Sequence, residues 1–300
     1  MEKNVALVLS SGGARGLAHI GAIEELEAQD YRITSIAGCS MGALIGGVYA
    51  AGKLEDFREW MKTIDRKKML ELTDFSFGFN HIVKGTRIIE AIMEFVPDVP
   101  IEDLPIPYCA VATDWKSGSE VLFCKGSLFE AIRASISLPA FYEPVQRDGM
   151  ILIDGGVTNP IPLNRVVRHD GDILIGVDVS GHDYAAQWKQ KQAQTEHRKS
   201  RMSFSQQIIN KLRPDNIEFN HYTMLSRVSS LMIRQNSILM AQLMKPDVLI
   251  DIQMARYGSF DYDKSEELIA IGQQKTRQAL KRPFTDSSYN APPLKKYENI

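Results

Sequence analysis

Apolar and polar positions change period several times along the chain, and each change marks an element. Val5–Leu9 is apolar without a break, the pattern of a strand buried on both faces. From Leu17 to Gln29 apolar residues recur at helical spacing with glutamates between them, which predicts an amphipathic helix. Ile33–Gly38 predicts a second buried strand, and Met41–Gly52, rich in Gly and Ala, a closely packed helix. Residues 5–52 thus read strand, helix, strand, helix, a parallel α/β unit.

The pattern then loosens. Residues 53–64 look helical, Phe75, Phe77 and Phe79 alternate as in an extended segment with one apolar face, and Thr86–Val96 predicts a helix that Pro97 helps to end. Strands resume at Tyr108–Asp114 and Glu120–Cys124. Ser127–Ser137 predicts a helix, with Ser127 as N-cap and Glu130 completing a capping box. Met150–Gly156 is a strand running into a turn, Asp172–Ser180 a further buried strand, Asp247–Met254 a last strand and Ser265–Leu280 a last helix. The expectation is α/β: a central, mostly parallel sheet flanked by helices, in one domain over residues 1–282. Its core spans about 4–180, a polar helical embellishment about 183–245, and a final strand and helix about 247–280. Residues 283–300, rich in Pro, Ser, Asn and Lys, should form a frayed tail.

Composition narrows the classes. The chain has 300 residues, 44% hydrophobic and 24% charged, with a formal net charge of -2, so no global basic field points to nucleic acid. Cys39, Cys109 and Cys124 show no metal-ligand spacing and read as free thiols in a reducing compartment. The N-terminal apolar run is too short for a signal peptide and follows Glu2, and no run of about 18 apolar residues occurs. A cytoplasmic protein is expected, with any membrane contact peripheral. For such contact the candidate is the cationic run Lys189, Lys191, Arg198, Lys199, Arg201, Lys211 and Arg213, with Glu196 the one acid among them. It would be a foot for anionic lipid, against the plainer reading of a solvated polar helix.

Three glycine-bearing loops carry the candidate chemistry. "SSGGARG" (Ser10 to Gly16) lies between the first strand and the first helix. Backbone amides presented there suit an anion, whether a bound phosphate or a transient charge. "GCSMG" (Gly38 to Gly42) matches G-x-S-x-G between a strand and a helix, the setting of a nucleophile elbow. The plainer reading makes Ser40 an N-cap. A serine nucleophile needs a base. Of the histidines after it (His81, His169, His182, His197, His221), none sits in the glycine or strand-end context of a catalytic loop. Asp154, in "IDGG", ends an apolar strand before Gly155 and Gly156, where an open α/β sheet places its site. It is a candidate base or a simple turn aspartate. His19 reads as a packed or capping residue and Asp114 as a strand-end structural group. Phe141 and Tyr142, like the three alternating phenylalanines, are either acyl-pocket lining or core.

In order and context these loops resemble those of the patatin-like phospholipase family: a Gly-Gly-x-Arg/Lys-Gly loop, a G-x-S-x-G elbow one helix later and a downstream Asp-Gly-Gly turn. "ASISLPAFYEPV" (Ala134 to Val145), "PDVLI" and "FDYDKSEELIAIG" also resemble family segments, so the resemblance covers roughly residues 4–280. It implies a three-layer fold with a Ser–Asp dyad at strand ends. Ser40 would be nucleophile and Asp154 base, agreeing with the absence of a well-placed histidine. Gly12, Gly13, Ala14 and Gly16 match the oxyanion loop, with Arg15 at its basic position in a supporting role. Gly38, Gly42, Gly155 and Gly156 shape the elbow and the turn. The implied activity is hydrolysis of lipid acyl esters with no cofactor and no metal. An acyltransferase with the same dyad, a nucleotide-binding module and a non-turning-over regulatory protein are the alternatives.

Overall fold

In the computed structural model, which describes residues 3–65, 67–68, 71, 86–139, 142–181, 221–254, 257–258 and 261–281, the first apolar run becomes β1 (Lys3–Leu9). Its side chains divide between two cores: Val5, Leu7 and Leu9 face one, Ala6 and Val8 the other. That division is why no polar residue interrupts the run. A 3-10 turn (Gly13–Leu17) leads into α1 (Ala18–Ala28), followed by β2 (Tyr31–Cys39) and α2 (Met41–Ala50). Then come α3 (Leu54–Lys62), α4 (Thr86–Met93), β3 (Tyr108–Asp114), β4 (Glu120–Phe123) and α5 (Leu128–Ser135). β5 (Val145–Arg147), β6 (Met150–Asp154), β7 (Ile173–Asp178), α6 (His221–Met244), β8 (Val248–Asp251) and α7 (Ser265–Leu280) complete the described elements.

The sheet runs β5-β6-β3-β2-β1-β7-β8, with β4 also on β3. β3, β2, β1, β7 and β8 are mutually parallel, whereas β4 and β6 pair antiparallel with β3. One feature of the register positions the site. Ala112 and Thr113 pair with both β4 and β6, so those strands lie on opposite edges of β3. Ala110 and Val111 pair with both β4 and β2. β2 and β6 therefore share one edge of β3 and run toward each other. Cys39 ends opposite Val111, and Asp154 ends opposite Ala112.

The mostly parallel sheet is flanked by helices. One face carries α1, α2, α5 and α7; the other is covered by Ile161, Leu163 and Ala241 of α6. α1 and α7 cross at two glycines. A Cβ on Gly272 would overlap the Ala18 carbonyl oxygen, and one on Gly21 the Ile269 carbonyl oxygen. Beside this crossing Arg277 donates twice to Glu25, at 2.9 and 2.6 Å. That pairing is the main reason the Glu25 carboxyl is held below its usual pKa.

Several expectations change. Cys109 and Cys124 form a disulfide, leaving only Cys39 free among the three. Antiparallel pairing of Ala110 with Phe123 makes the two cysteines cross-strand neighbours, which their spacing alone does not reveal. The Met150 strand is one arm of a β5–β6 hairpin, whose turn is formed by Asp148 and Gly149, both at positive φ. Ser127 does cap α5, accepting from the Glu130 amide at 3.0 Å, but the Glu130 carboxylate turns to Arg147 instead of returning to the cap. Phe75, Phe77, Phe79, Phe141, the cationic run 189–213, His81, His182, His197 and the tail 283–300 lie outside the described residues. Among the described residues no helix is long and apolar enough to cross a membrane.

The helix crossing yields a test. Gly272→Ala forces α1 and α7 apart, and overpacking of this kind costs about 1–3 kcal/mol. Urea denaturation should show a lower midpoint with an unchanged slope; an unchanged midpoint would mean the crossing has slack.

Candidate active site

Ser40 occupies the single residue between β2 and α2. Its φ of 54° and ψ of −122° are disfavoured for a side chain with a Cβ, a local cost of about 1–3 kcal/mol that surrounding structure must hold. The restraints are visible. The Ser40 carbonyl accepts from the amides of Ala43 (2.9 Å) and Leu44 (3.1 Å), starting the helix. The Ser40 amide donates to Ser135 Oγ at 2.8 Å, and the Ser135 hydroxyl donates onward to the Val111 carbonyl at 2.6 Å. Gly42 lies against the Leu9 and Ser10 carbonyls, and Gly38 against the backbone of Gly42 and Ala43. A side chain at either place would prevent the sharp turn.

Asp154 arrives from the opposite direction. Its amide donates to the Ser137 carbonyl at 2.9 Å, so α5 and the residues just after it brace both strand ends. β6 cannot continue past Ala112 because β2 occupies that edge, and the chain leaves in a 3-10 turn (Gly155–Val157). Gly155 passes directly over the Val111 carbonyl, where a Cβ would collide. The outcome is a contact between two residues 114 positions apart: Ser40 Oγ donates to Asp154 Oδ2 at 2.5 Å. The other carboxylate oxygen, Oδ1, accepts the Gly156 amide at 2.7 Å. The carboxyl is 1% exposed, and burial raises its pKa from 3.8 to about 6, with the Ser40 and Gly156 hydrogen bonds opposing that rise. A buried carboxylate already bonded to a serine hydroxyl is placed to take its proton.

The glycine loop closes on both. Gly16 packs on Met41 of the elbow, Gly12 on Val179, and Ser11 on Gly156. Gly13 has positive φ, and the turn it opens runs straight into α1. Arg15 is buried and donates from Nε to the Gly12 carbonyl at 3.1 Å, so it fixes the loop's shape. His19 does likewise from below: its Nε2 donates to the Ser10 carbonyl at 2.9 Å, and complete burial lowers its pKa to about 4, keeping the ring neutral. The three loops singled out in the sequence thus meet at one place.

Other residues take structural roles or were missed. Asp114 accepts from Ser117 Oγ, from the amides of Lys116 and Ser117, and from the Ile151 amide; the Ser117 hydroxyl is the leading reason its carboxyl sits below the usual range. Ser135, at the end of α5, and Ser137, just after it, carry no distinctive sequence pattern, since a buried serine is marked only by its neighbours in space. Tyr262 was also missed. Its hydroxyl faces that of Tyr142, and burial first, then Tyr142 and the Asp154 carboxylate, raise its pKa well above that of a free phenol. Among the described residues no group of three or more His, Cys, Asp or Glu side chains is placed to hold a metal ion.

A strained serine between strand and helix meets a buried aspartate at the end of a mostly parallel sheet flanked by helices, which defines the class of the molecule as α/β. Residues 7–167, more than half of the chain, match the family model described as Patatin-like phospholipase, and the chain belongs to that family. An uncharacterized NTE family protein of Mycobacterium tuberculosis is 45% identical over 179 residues, covering 60% of this chain and 50% of that protein. The Neuropathy target esterase sws of Drosophila melanogaster is 32% identical over 187 residues, 60% of this chain but 13% of the fly protein. The chain thus spans about half the length of the mycobacterial relative and a small part of the fly one. A solved structure, VipD from Legionella pneumophila, aligns over 93% of this chain and 66% of its own with a TM-score of 0.48 and 15% identity.

Buried ionisation gives a stability test. A folded-state pKa above the unfolded one means that the Asp154 contribution is present below about pH 4 and lost as pH rises through about 6. Asp154→Asn removes that charge. It should stabilise the fold at pH 8 by about 1–3 kcal/mol and by much less at pH 4, measured by urea denaturation. An equal effect at both pH values would show that the carboxyl does not ionise within this range.

Proposed function

We propose that this protein is a serine acyl hydrolase that cleaves fatty acyl esters of lipids through an acyl-Ser40 intermediate. One observation carries the reading: the Ser40 hydroxyl donates at 2.5 Å to the buried Asp154 carboxylate. Asp154 takes the hydroxyl proton as Ser40 Oγ attacks the ester carbonyl carbon. The tetrahedral oxyanion is held by the amides of Gly12, Gly13 and Ala14. The first amides of a helix have no partner within it, and its dipole favours negative charge at that end. Arg15, turned to the Gly12 carbonyl, acts on the loop and not on the oxyanion. Collapse of the intermediate expels the alcohol, which takes the proton back from Asp154. Water then attacks the acyl-serine with Asp154 again as base, releasing the fatty acid and regenerating Ser40. The raised pKa suits the task, because a base near neutrality is strong yet largely ionised at pH 7. Family membership and the esterase named among the relatives support the reaction type.

The reading is tested with short p-nitrophenyl esters and phospholipid substrates, with a competing alcohol present to separate hydrolysis from acyl transfer. Ser40→Ala and Asp154→Asn should each lower kcat/KM by roughly 10³-fold or more. Retained turnover in either variant would remove that residue from the mechanism. For the parent protein, log kcat/KM should climb with unit slope up to about pH 6 and level off above it. A fall through that range would contradict a carboxylate base.

A further inference from the structure

The solvent side of α6 is apolar. Met224, Val228, Leu231, Met232, Leu239 and Leu243 are between 44% (Leu231) and 74% (Leu243) exposed. At 3.6 residues per turn they fall within one sector of about 120°, where Gln235 and Gln242 are the polar residues among the described side chains. The opposite sector does the packing, with Ser237 and Ala241 buried against the sheet. A helix normally turns its apolar stripe inward; this one presents a second stripe outward, and contiguous exposed apolar surface marks an interaction site.

The helix is held firmly and close to the Ser40–Asp154 pair. Arg234 donates to Asp178 at 2.7 Å and to Asp251 at 3.2 and 2.9 Å, binding α6 to the ends of β7 and β8. Ser180 Oγ donates to Ser237 Oγ at 3.2 Å. Asn236 Nδ2 donates to the Val157 carbonyl at 3.4 Å, in the same turn whose Gly156 amide holds Asp154. Val157 is itself 40% exposed and carries apolar surface from the helix to that turn.

Composition bears on what this face suits. The 24 residues of α6 include no aspartate or glutamate, and their charges are Arg227 and Arg234. Exposed Arg227 lies beside the sector, and exposed Lys245 and Asp247 follow the helix. Met is common at protein interfaces, but their hot-spot anchors are enriched in Trp, Tyr and Arg, with Leu and Val under-represented. This sector offers Met, Leu and Val, which suit a fluid apolar phase, beside the cation Arg227 and on a helix with no carboxylate that headgroup phosphates would repel. We propose that the exposed face of α6 is the surface by which this protein docks on a phospholipid interface, with the Ser40–Asp154 site beside it. The proposal rests on the acyl-hydrolase reading for its purpose, but its binding test does not depend on turnover.

The test uses the full chain and vesicles of phosphatidylcholine with phosphatidylglycerol, with binding read by flotation. Wild type and Ser40→Ala should bind alike. Leu239→Glu/Leu243→Glu replaces two exposed side chains; each leucine lost from an apolar phase weakens binding about tenfold or more. The double variant should therefore bind at least about 100-fold more weakly. It should also lose turnover of vesicle lipid while keeping hydrolysis of a soluble short-chain ester. Undiminished vesicle binding by the double variant would overturn the proposal, as would a wild type that does not float. So would sedimentation showing a wild-type dimer that the substitutions dissociate without any vesicle binding, since α6 would then face a second copy. If wild type floats and the double variant does not, but no ester is cleaved, docking stands and the hydrolase reading alone fails.

Discussion

The arrangement depends on one constraint: β2 and β6 compete for the same edge of β3 and meet head to head. Neither can extend, because the other fills the next position. Each chain must therefore leave the sheet abruptly, β2 through Ser40 and β6 through Gly155. Backbone geometry rather than side-chain recognition thus brings the serine and the aspartate into contact. Ser135 and Ser137 reinforce it by taking the two strand-end amides.

The same crowding sets the electrostatics. Asp154 is shut away from water and keeps two hydrogen bonds, one from Ser40 Oγ and one from the Gly156 amide. Desolvation outweighs both, so its pKa moves upward. Nearby groups are tuned the opposite way: His19 stays neutral because its burial is also complete, and it serves the glycine loop as a hydrogen-bond donor only. The site combines a strained serine, a costly buried carboxyl and a loop pinned by Arg15 and His19. Sites that concentrate strain and perturbed ionisation in this way give up local stability for function.

Much of this was legible in the sequence, and for identifiable reasons. β1, β3 and α7 follow directly from apolar period, and the three glycine loops stand out because each needs a residue without a side chain at a close approach. The convergence of those loops was legible only through the family resemblance, since residues 40 and 154 are linked by register and not by spacing. The Cys109–Cys124 pairing was hidden for the same reason. The β5–β6 hairpin does have a local signal, Asp148-Gly149 between Arg147 and Met150. Tyr262, Ser135 and Ser137 had no signal, because a buried hydroxyl is defined by its neighbours in space. The outward stripe of α6 could be seen as periodicity, but only the fold tells which side of the helix packs.

The central claim is that Ser40 Oγ carries the acyl group, and it is tested most directly by mapping the covalent adduct. The protein would be treated with a fluorophosphonate, digested, and its modified peptide sequenced by mass spectrometry. The account predicts one phosphonylated residue, Ser40, with the labelling rate falling sharply in Asp154→Asn. Labelling at any other residue, or a rate indifferent to Asp154, would contradict it.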